Sequence, residues 1–380
     1  MKILVVHSRY SNGSLSGENN VVRRQVEALQ ASGHTVELFE FQSANHRYSF
    51  PQNLRAALRV ATGFGRNPLK KINQFKPDII QVHNLFPNFG TRWLRKVNVP
   101  VFATVHNFRV FCASGTLNRQ GKNCFRCVTN GPQNALRYKC YKNSVAATLP
   151  LSISQKLQPR GKYLSIPGLN VIFLSDFVRE TFTSLGFKPA KSAVLPNFVN
   201  PSFNEQETGR TSKWVCAARL SPEKGVVELI RQWPVDGPQL EIHGDGPLFG
   251  KAKAGLKSNV TLMGHSSPEE LEIAVSNATG VVVPSLCIEG AVPLAAIEAM
   301  ALGKPIICLP NNACADFVSS RKVGLVVDSL ESLDTAIGEI NKNWNDYSIR
   351  AKAAYKAEFT REVWLASMEE LITANASSPN

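Results

Sequence analysis

The stretch VVVPSLCIEGAVPLAAIEAM, residues 281–300, is almost wholly apolar yet carries two carboxylates, Glu289 and Glu298, nine positions apart. Ionised carboxylates are costly to bury unless they are paired or hydrogen-bonded, so a polar ligand or a cation is expected beside them. Between them, Gly290, Ala291 and Val292 lead into Pro293, a residue suited to the first turn of a helix, where its missing N–H costs nothing. A helix over PLAAIEAMALG would present the free amides on either side of Pro293, those of Val292 and Leu294, at the positive end of its dipole, which favours anions. Glu298 falls just over one turn into that helix. There an acceptor-only carboxylate can receive two hydrogen bonds from a ribose diol, or it can cap or pair locally. Upstream, Arg219 and Lys224 in AARLSPEKG follow an expected strand. Such cations stabilise a departing diphosphate, or they face solvent. A nucleotide sugar stretched between the two carboxylates would unite these groups.

The elements that must position these residues are legible from periodicity. MKILVVHS, HTVELFEF, KPDIIQVHN, VPVFATVHN and LNVIFLSD read as short buried strands, with VVRRQVEALQASGH a helix between the first two. A second alternating series runs through KWVCAARL, QLEIHGDG, NVTLMGH, GVVVPS, KPIICLP and VGLVVD. Strand, Gly-containing loop, helix, strand is the opening of a doubly wound α/β domain. Two such domains are therefore expected, over 1–198 and 203–355. AKSAVLPNFVNPSFNEQETGRTSK forms the connection, and a long final helix, including 356–376, returns to the first domain. His83 and His106 each end a strand in His-Asn, at the carboxyl edge where open α/β sheets bind ligands. GDGPLFG loosely matches a dinucleotide-binding loop, but Pro247 favours a turn.

The net charge of +14 is unevenly spread: residues 41–175 hold 20 Lys and Arg against one acid, Asp78. That field suits phosphates, anionic lipid headgroups or nucleic acid, or serves as a solubilising face. Within it, FPQNLRAALRVATGFGRNPLKKINQF sets Leu54, Leu58 and Val60 among Arg55, Arg59, Arg66, Lys70 and Lys71, either as a basic amphipathic element for a membrane surface or as an ordinary surface helix. The first apolar run, Ile3 to Val6, is too short for a signal peptide and no run approaches bilayer length, so a cytoplasmic protein, peripheral at most, is expected. Cys112, Cys124, Cys127 and Cys140 follow the spacing C-x11-C-x2-C-x12-C in a polar segment. Structural zinc, reduced thiols and redox disulfides are the three readings, with zinc favoured by the CxxC pair.

Taken together, SGENNVVRRQVEALQASGHTVELF, VFATVHNFRVFC, VLPNFVN, ARLSPEKG, IHGDGPL, VTLMGHSSPEEL and the segment from VVVPSLCIEG to PLAAIEAMALGKPII resemble glycosyltransferase family 4, retaining enzymes of the GT-B fold with two Rossmann-like domains facing across a cleft. The cysteine-bearing insert after VHNFR resembles a branch tied to bacterial surface polysaccharides. The resemblance implies a nucleotide diphosphate sugar donor, a glycan or polyprenyl-diphosphate-linked acceptor of polysaccharide or lipopolysaccharide synthesis, and no catalytic metal. It implies that Gly17 offers an amide near the diphosphate, His106 and Glu289 contact the donor sugar, and Arg219 and Lys224 neutralise the diphosphate. Glu298 holds the ribose, Gly264 and His265 lie near the base, and Asn197 shapes a turn. Eight residues separate the two glutamates where the family usually has seven, the extra one falling between Gly290 and Pro293. Two alternatives belong to other classes: a zinc protein binding nucleic acid or lipid on an α/β scaffold, and an inactive transferase relative. No named nucleic-acid motif appears, so no nucleic-acid partner is expected.

Overall fold

The protein is described from a computed structural model over residues 1–9, 17–42, 50–201 and 210–376. The chain divides into two compact units. The first runs to Leu117, resumes from Cys124 to Leu195 and takes up the chain again from Leu365; the second comprises Asn118–Asn123 and Pro196–Trp364.

The first unit is a six-stranded parallel sheet. Its strands are β1 (Lys2–Arg9), β2 (Thr35–Gln42), β3 (Ile79–Asn84) and β4 (Val101–Val105), then, beyond the short antiparallel hairpin β5 (Asn118–Arg119) and β6 (Lys122–Asn123) that clusters with the second unit, β7 (Leu169–Phe173) and β8 (Lys191–Val194). The strand order is β2-β1-β3-β4-β7-β8, with Ile3 opposite both Val36 and Ile79 and Val101 opposite Leu169. Ile3, Leu4, Val5 and Val6 are all fully buried. A continuous apolar run of this kind is what a parallel strand covered on both faces requires.

The second unit repeats the plan with β9 (Trp214–Ala217), β10 (Leu240–His243), β11 (Val260–Gly264), β12 (Gly280–Val283), β13 (Ile306–Cys308) and β14 (Gly324–Val326), in the order β11-β10-β9-β12-β13-β14, all parallel. Side chains alternate across the sheet. Val215, Val281, Val283, Ile306 and Cys308 pack into one core with Ile297, Met300 and Phe359. Trp214, Cys216, Val282 and Ile307 pack into another with Leu229, Ile230 and Ile337. Helix Pro268–Asn277 starts on a reciprocal cap: Ser267 Oγ accepts from the Glu270 amide at 3.1 Å, and Glu270 Oε2 accepts from the Ser267 amide at 2.8 Å.

Three expectations are corrected. The connection after residue 190 begins with a strand, β8, that extends the sheet beside β7; four residues are too few for periodicity to register. Within the rest of that connection, residues 202–209, which hold the expected boundary at 203, lie outside the described residues. The single long final helix is two, Trp344–Glu358 and Arg361–Ala376, parted at the buried Phe359. The cysteine-bearing insert, a polar segment with little periodicity for which no helix was expected, holds helices Arg126–Asn130 and Gln133–Arg137 and leads into Val145–Leu157. Among the described residues no helix is long and apolar enough to cross a membrane.

The GDG turn after β10 is held by backbone proximity. A Cβ on Gly244, whose φ is +151°, would stand 2.0 Å from the Ala218 carbonyl oxygen, whereas one on Gly250 would meet nothing within 4 Å. Gly244→Ala is expected to cost about 2–4 kcal/mol, and Gly250→Ala, inside helix Phe249–Ala254, to be neutral or to gain up to about 1 kcal/mol. Urea denaturation of the two variants checks the opposite signs.

Candidate functional site

In the second sheet β9 lies between β10 and β12. The connections therefore diverge from β9 to opposite sides, and a crevice opens beyond the carboxyl ends of β9 and β12. The loops leaving these two strands meet there. Gly225, at φ +67°, approaches so closely that a Cβ would lie 2.1 Å from the Pro284 carbonyl oxygen, and the Leu286 amide donates to the Glu223 carbonyl at 2.9 Å. The junction brings the Lys224 ammonium into direct contact with the Glu289 carboxylate. Glu289 Oε1 also accepts from Ser285 Oγ at 2.6 Å. The side chains of Lys224 and Glu289 keep 28% and 16% exposure, so a ligand can reach the pair.

Burial opposes both charges, yet each partner outweighs it. Burial works to lower Lys224, but the Glu289 charge leaves it above the ordinary lysine value. Burial works to raise Glu289, but Lys224, then the Ser285 hydroxyl, hold it below the ordinary carboxylate value. Both are charged at neutral pH. Beside them, Cys287 is pushed up to about 12 by burial and by Glu289, and so stays a neutral thiol.

The other donor residues expected in the second unit lie on loops and helices that follow the carboxyl ends of its strands, whereas Gly17 and His106 belong to the first unit. Arg219 is exposed on the loop after β9, whose backbone is fixed by Ala218 N–H to the His243 carbonyl and Leu220 N–H to the Asp245 carbonyl, both 3.0 Å. Pro293 stands just before helix Leu294–Ala301 rather than in its first turn: its ψ of 142° is extended, and its carbonyl accepts from Ala296 and Ile297 at 2.9 and 3.1 Å. The amides of Leu294 and Ala295 thus precede the first intrahelical bond. Val292 is buried and Glu298 half-buried in that helix. Gly264 ends β11 at φ +75°, followed by the exposed His265. The sequence reading set Glu289 near the sugar and Lys224 at the diphosphate; the structure joins them. Ser285, the third member of the group, had one legible signal, a hydroxyl two residues beyond an apolar strand.

The first sheet has its own point of divergence, between β1 and β3. His7 and His83, near the carboxyl ends of these strands, and His106 just beyond β4 form a row. His83 Nδ1 and His106 Nε2 share a hydrogen bond of 3.0 Å, and the His7 and His83 rings meet edge-on at 6.3 Å. Burial lowers all three: His83 falls well below its usual value, with the other two imidazoles adding to the shift, and His106 drops to about 3. They are neutral imidazoles at physiological pH. His7 Nε2 meets Asn19 Oδ1 at 2.9 Å in the first turn of helix Gly17–Ala31, where Gly17 is exposed. In the same turn Glu18 is pushed up to about 7 by burial, against the pull of Asn84 and Arg109. Residues 10–16, the rest of this expected loop, lie outside the described residues. His83, Asn84, His106, Arg109, Gln155 and Tyr163 help line a cavity of about 130 Å³ within this unit. His7 and Glu18 were not singled out in the sequence; the strand-end position of His7 was the available signal.

No disulfide joins Cys112, Cys124, Cys127 or Cys140 in this structure. Cys127 and Cys140 pack against Ala113, Ala135 and Leu151. Cys127 is pushed up to about 12 by burial and then by Cys112, Cys140 and Cys124, which places the other three within electrostatic reach of it. Among the described residues no three His, Cys, Asp or Glu side chains are already arranged to hold a metal.

Comparison with known proteins locates two family matches. Residues 15–146 match the family described as Glycosyltransferase Family 4, and residues 202–358 the family described as Glycosyl transferases group 1. A GDP-mannose-dependent alpha-(1-6)-phosphatidylinositol monomannoside mannosyltransferase of Mycobacterium tuberculosis is 29% identical over 201 residues, covering 45% of this chain and 52% of that protein. The chain thus spans about half the length of the curated relatives it matches. Among solved structures, sucrose-phosphate synthase of Thermosynechococcus elongatus aligns at a TM-score of 0.68 and 18% identity over 98% of both chains. Anabaena Alr3699/HepE, in complex with UDP-glucose, aligns at 0.62 and 14% over 98% of this chain and 100% of that one. The lipopolysaccharide outer core galactosyltransferase WaaB aligns at 0.59 and 16% over 98% and 99%. At these identities the likeness is one of fold.

Glu18 supplies a pH test of the first-unit site. A carboxyl whose folded value is raised contributes its full stability below the unfolded value, 4.5, and loses it as pH rises through about 7. The buried histidines act with the opposite sign, losing stability as pH falls below 6.5. Glu18→Gln should therefore gain about 2–4 kcal/mol relative to wild type between pH 4.5 and pH 8, read as the difference between their denaturation free energies at the two pH values. A difference that does not change with pH would remove Glu18 from the buried cluster.

Proposed function

The chain belongs to glycosyltransferase family 4, with the GT-B type of α/β fold, and on that premise we propose that it transfers a sugar from a nucleotide diphosphate sugar to a hydroxyl of a glycan or lipid-linked acceptor. The observation that carries this reading is the Lys224–Glu289–Ser285 group at the point where the second sheet's strand order diverges. Ligands of doubly wound sheets bind at such points, and here a cation, a carboxylate and a helix N-terminus lie on loops leaving the same sheet edge. The mannosyltransferase likeness and the resemblance of the fold to a protein in complex with UDP-glucose support a nucleotide sugar as donor.

The chemistry follows from charge. When the bond from the anomeric carbon to the diphosphate oxygen breaks, the bonding pair leaves with the diphosphate. Negative charge therefore grows on that oxygen, while the acceptor hydroxyl oxygen forms the new bond to the anomeric carbon and its proton passes to the departing diphosphate. Lys224, Arg219 and the amides around Val292–Leu294 stabilise the growing charge without moving far. In the resting pair Lys224 is already neutralised by Glu289. The incoming diphosphate competes for the ammonium and frees Glu289 to accept hydrogen bonds from the sugar hydroxyls. Glu298, one turn into the helix, takes the ribose diol, and Gly264 and His265 lie towards the base. We assign retention of anomeric configuration, a surface-polysaccharide or lipopolysaccharide acceptor, and charge stabilisation by protein groups instead of a catalytic metal to this same reading.

Thermal-shift titration with UDP-, GDP-, ADP- and dTDP-sugars tests the donor site, since a ligand that binds only the folded state raises its stability. One class is expected to raise Tm. Lys224→Ala and Glu298→Ala should remove most of that rise, and Lys224→Ala should lower kcat/KM by about 10²–10³. A full shift retained by both variants would refute the site.

Structural zinc at Cys112, Cys124, Cys127 and Cys140 is the matching proposal for the insert, supported by the CxxC pair and the spacing of the four cysteines. Metal analysis of the purified chain should find about one zinc per molecule, lost in Cys124→Ser/Cys127→Ser. Four thiols that all react with a thiol reagent in a metal-free chain would refute it.

A further inference from the structure

Helix Val145–Leu157 packs one side inward and bares an aliphatic stripe on the other. Thr148, Leu151 and Ser152 face inward and are buried. On the outward face Val145, Leu149, Ile153 and Leu157 recur at four-residue intervals, all exposed, Leu157 by 56%. The helix packed against it, Phe50–Thr62, adds exposed Leu54 and Leu58 at the same interval, 51% and 55% exposed. Six large aliphatic side chains on two adjoining helices exceed the scattered exposure normal for a soluble surface.

Charge selects what covers this face. Neither helix contains an Asp or Glu. Exposed Arg137, Lys139 and Lys142 precede helix Val145–Leu157, Lys156 and Arg160 sit in or just after its last turn, and exposed Arg55 lies beside Leu54. The one acid of residues 41–175, Asp78, is engaged elsewhere, accepting from the Lys2 amide at 2.7 Å. A second copy of the chain would set this cationic border against itself. An anionic bilayer complements both the aliphatic face and its border. With no helix among the described residues able to cross a membrane, the mode available is surface binding, in which an apolar face enters the headgroup–acyl boundary and basic residues contact headgroups.

We propose that helices Phe50–Thr62 and Val145–Leu157 form a docking face for an anionic phospholipid surface, with Leu54, Leu58, Val145, Leu149, Ile153 and Leu157 entering the acyl boundary. The face lies within the first unit and does not depend on the donor reading. It would deliver the enzyme to a lipid-linked acceptor. The full chain is tested by co-sedimentation with vesicles of phosphatidylcholine alone or mixed with phosphatidylglycerol. Wild type should bind the mixed vesicles, weakly or not at all the neutral ones, and less as salt rises. Leu149→Ser/Ile153→Ser should lower the partition coefficient at least about tenfold, and Lys139→Glu/Lys142→Glu should also lower it, while the nucleotide-sugar thermal shift of both variants stays at the wild-type value. Leu149→Trp should bind, with a blue shift of the new indole's emission on mixed vesicles. Equal binding to neutral vesicles, partitioning unchanged by Leu149→Ser/Ile153→Ser, no emission shift, or a wild-type dimer that the serine variant dissociates would each overturn the proposal.

Discussion

The close approach of Gly225 to the Pro284 carbonyl is the constraint on which the candidate donor site rests. The strand order of the second sheet makes β9 and β12 neighbours although β10 and β11 intervene in sequence. Both strands end at the same edge, and their loops touch where a side chain at residue 225 would collide. Lys224 is the next residue back and Glu289 lies five beyond Pro284, so the backbone junction makes their ion pair. An exposed pair of this kind would contribute little, and a buried one would be costly without further hydrogen bonds. This one lies between those limits, and Ser285 supplies a further bond. It is stable enough to hold two charges in place and open enough for an anion to compete for the lysine.

The first unit meets the same problem of polar groups beneath a parallel sheet edge in the opposite way. Its outer residues form a strongly basic field, yet the groups gathered at the ends of β1, β3 and β4 are neutral imidazoles, linked by a hydrogen bond that requires one nitrogen to donate and the other to accept. Burial is the largest cause in each case, because a protonated imidazole would lose its hydration there and face two others. Such a cluster can orient hydroxyls by hydrogen bonding without adding charge. Glu18, which exchanges its proton near neutrality, is the member able to change the charge of the group.

The two six-stranded sheets were largely present in the sequence. Runs such as KILVV, IIQV and GVVV suit parallel strands covered on both faces; the side-chain caps at Ser175, Ser267 and Asn312 that start three of the helices are supplied by the structure. Elements without a periodic signature escaped: β8, which is four residues long, and the break at Phe359, which turns one expected helix into two. The exposed face of helix Val145–Leu157 escaped for a different reason, since an apolar stripe reads the same whether it is buried or bare.

For the sites, the sequence by itself determined residue types and strand ends: Glu289 and Glu298 flanking a helix start, Lys224 and Arg219 after one strand, His83 and His106 closing two others. It could not determine which of these meet. Lys224 and Glu289 are 65 positions apart, and their contact exists because the sheet order reverses and a glycine lets two loops touch. The protonation states of His83, His106 and Glu18 likewise follow from burial and neighbours that only the folded chain supplies, since a pKa responds to the dielectric and charges around a group and not to its place in the sequence.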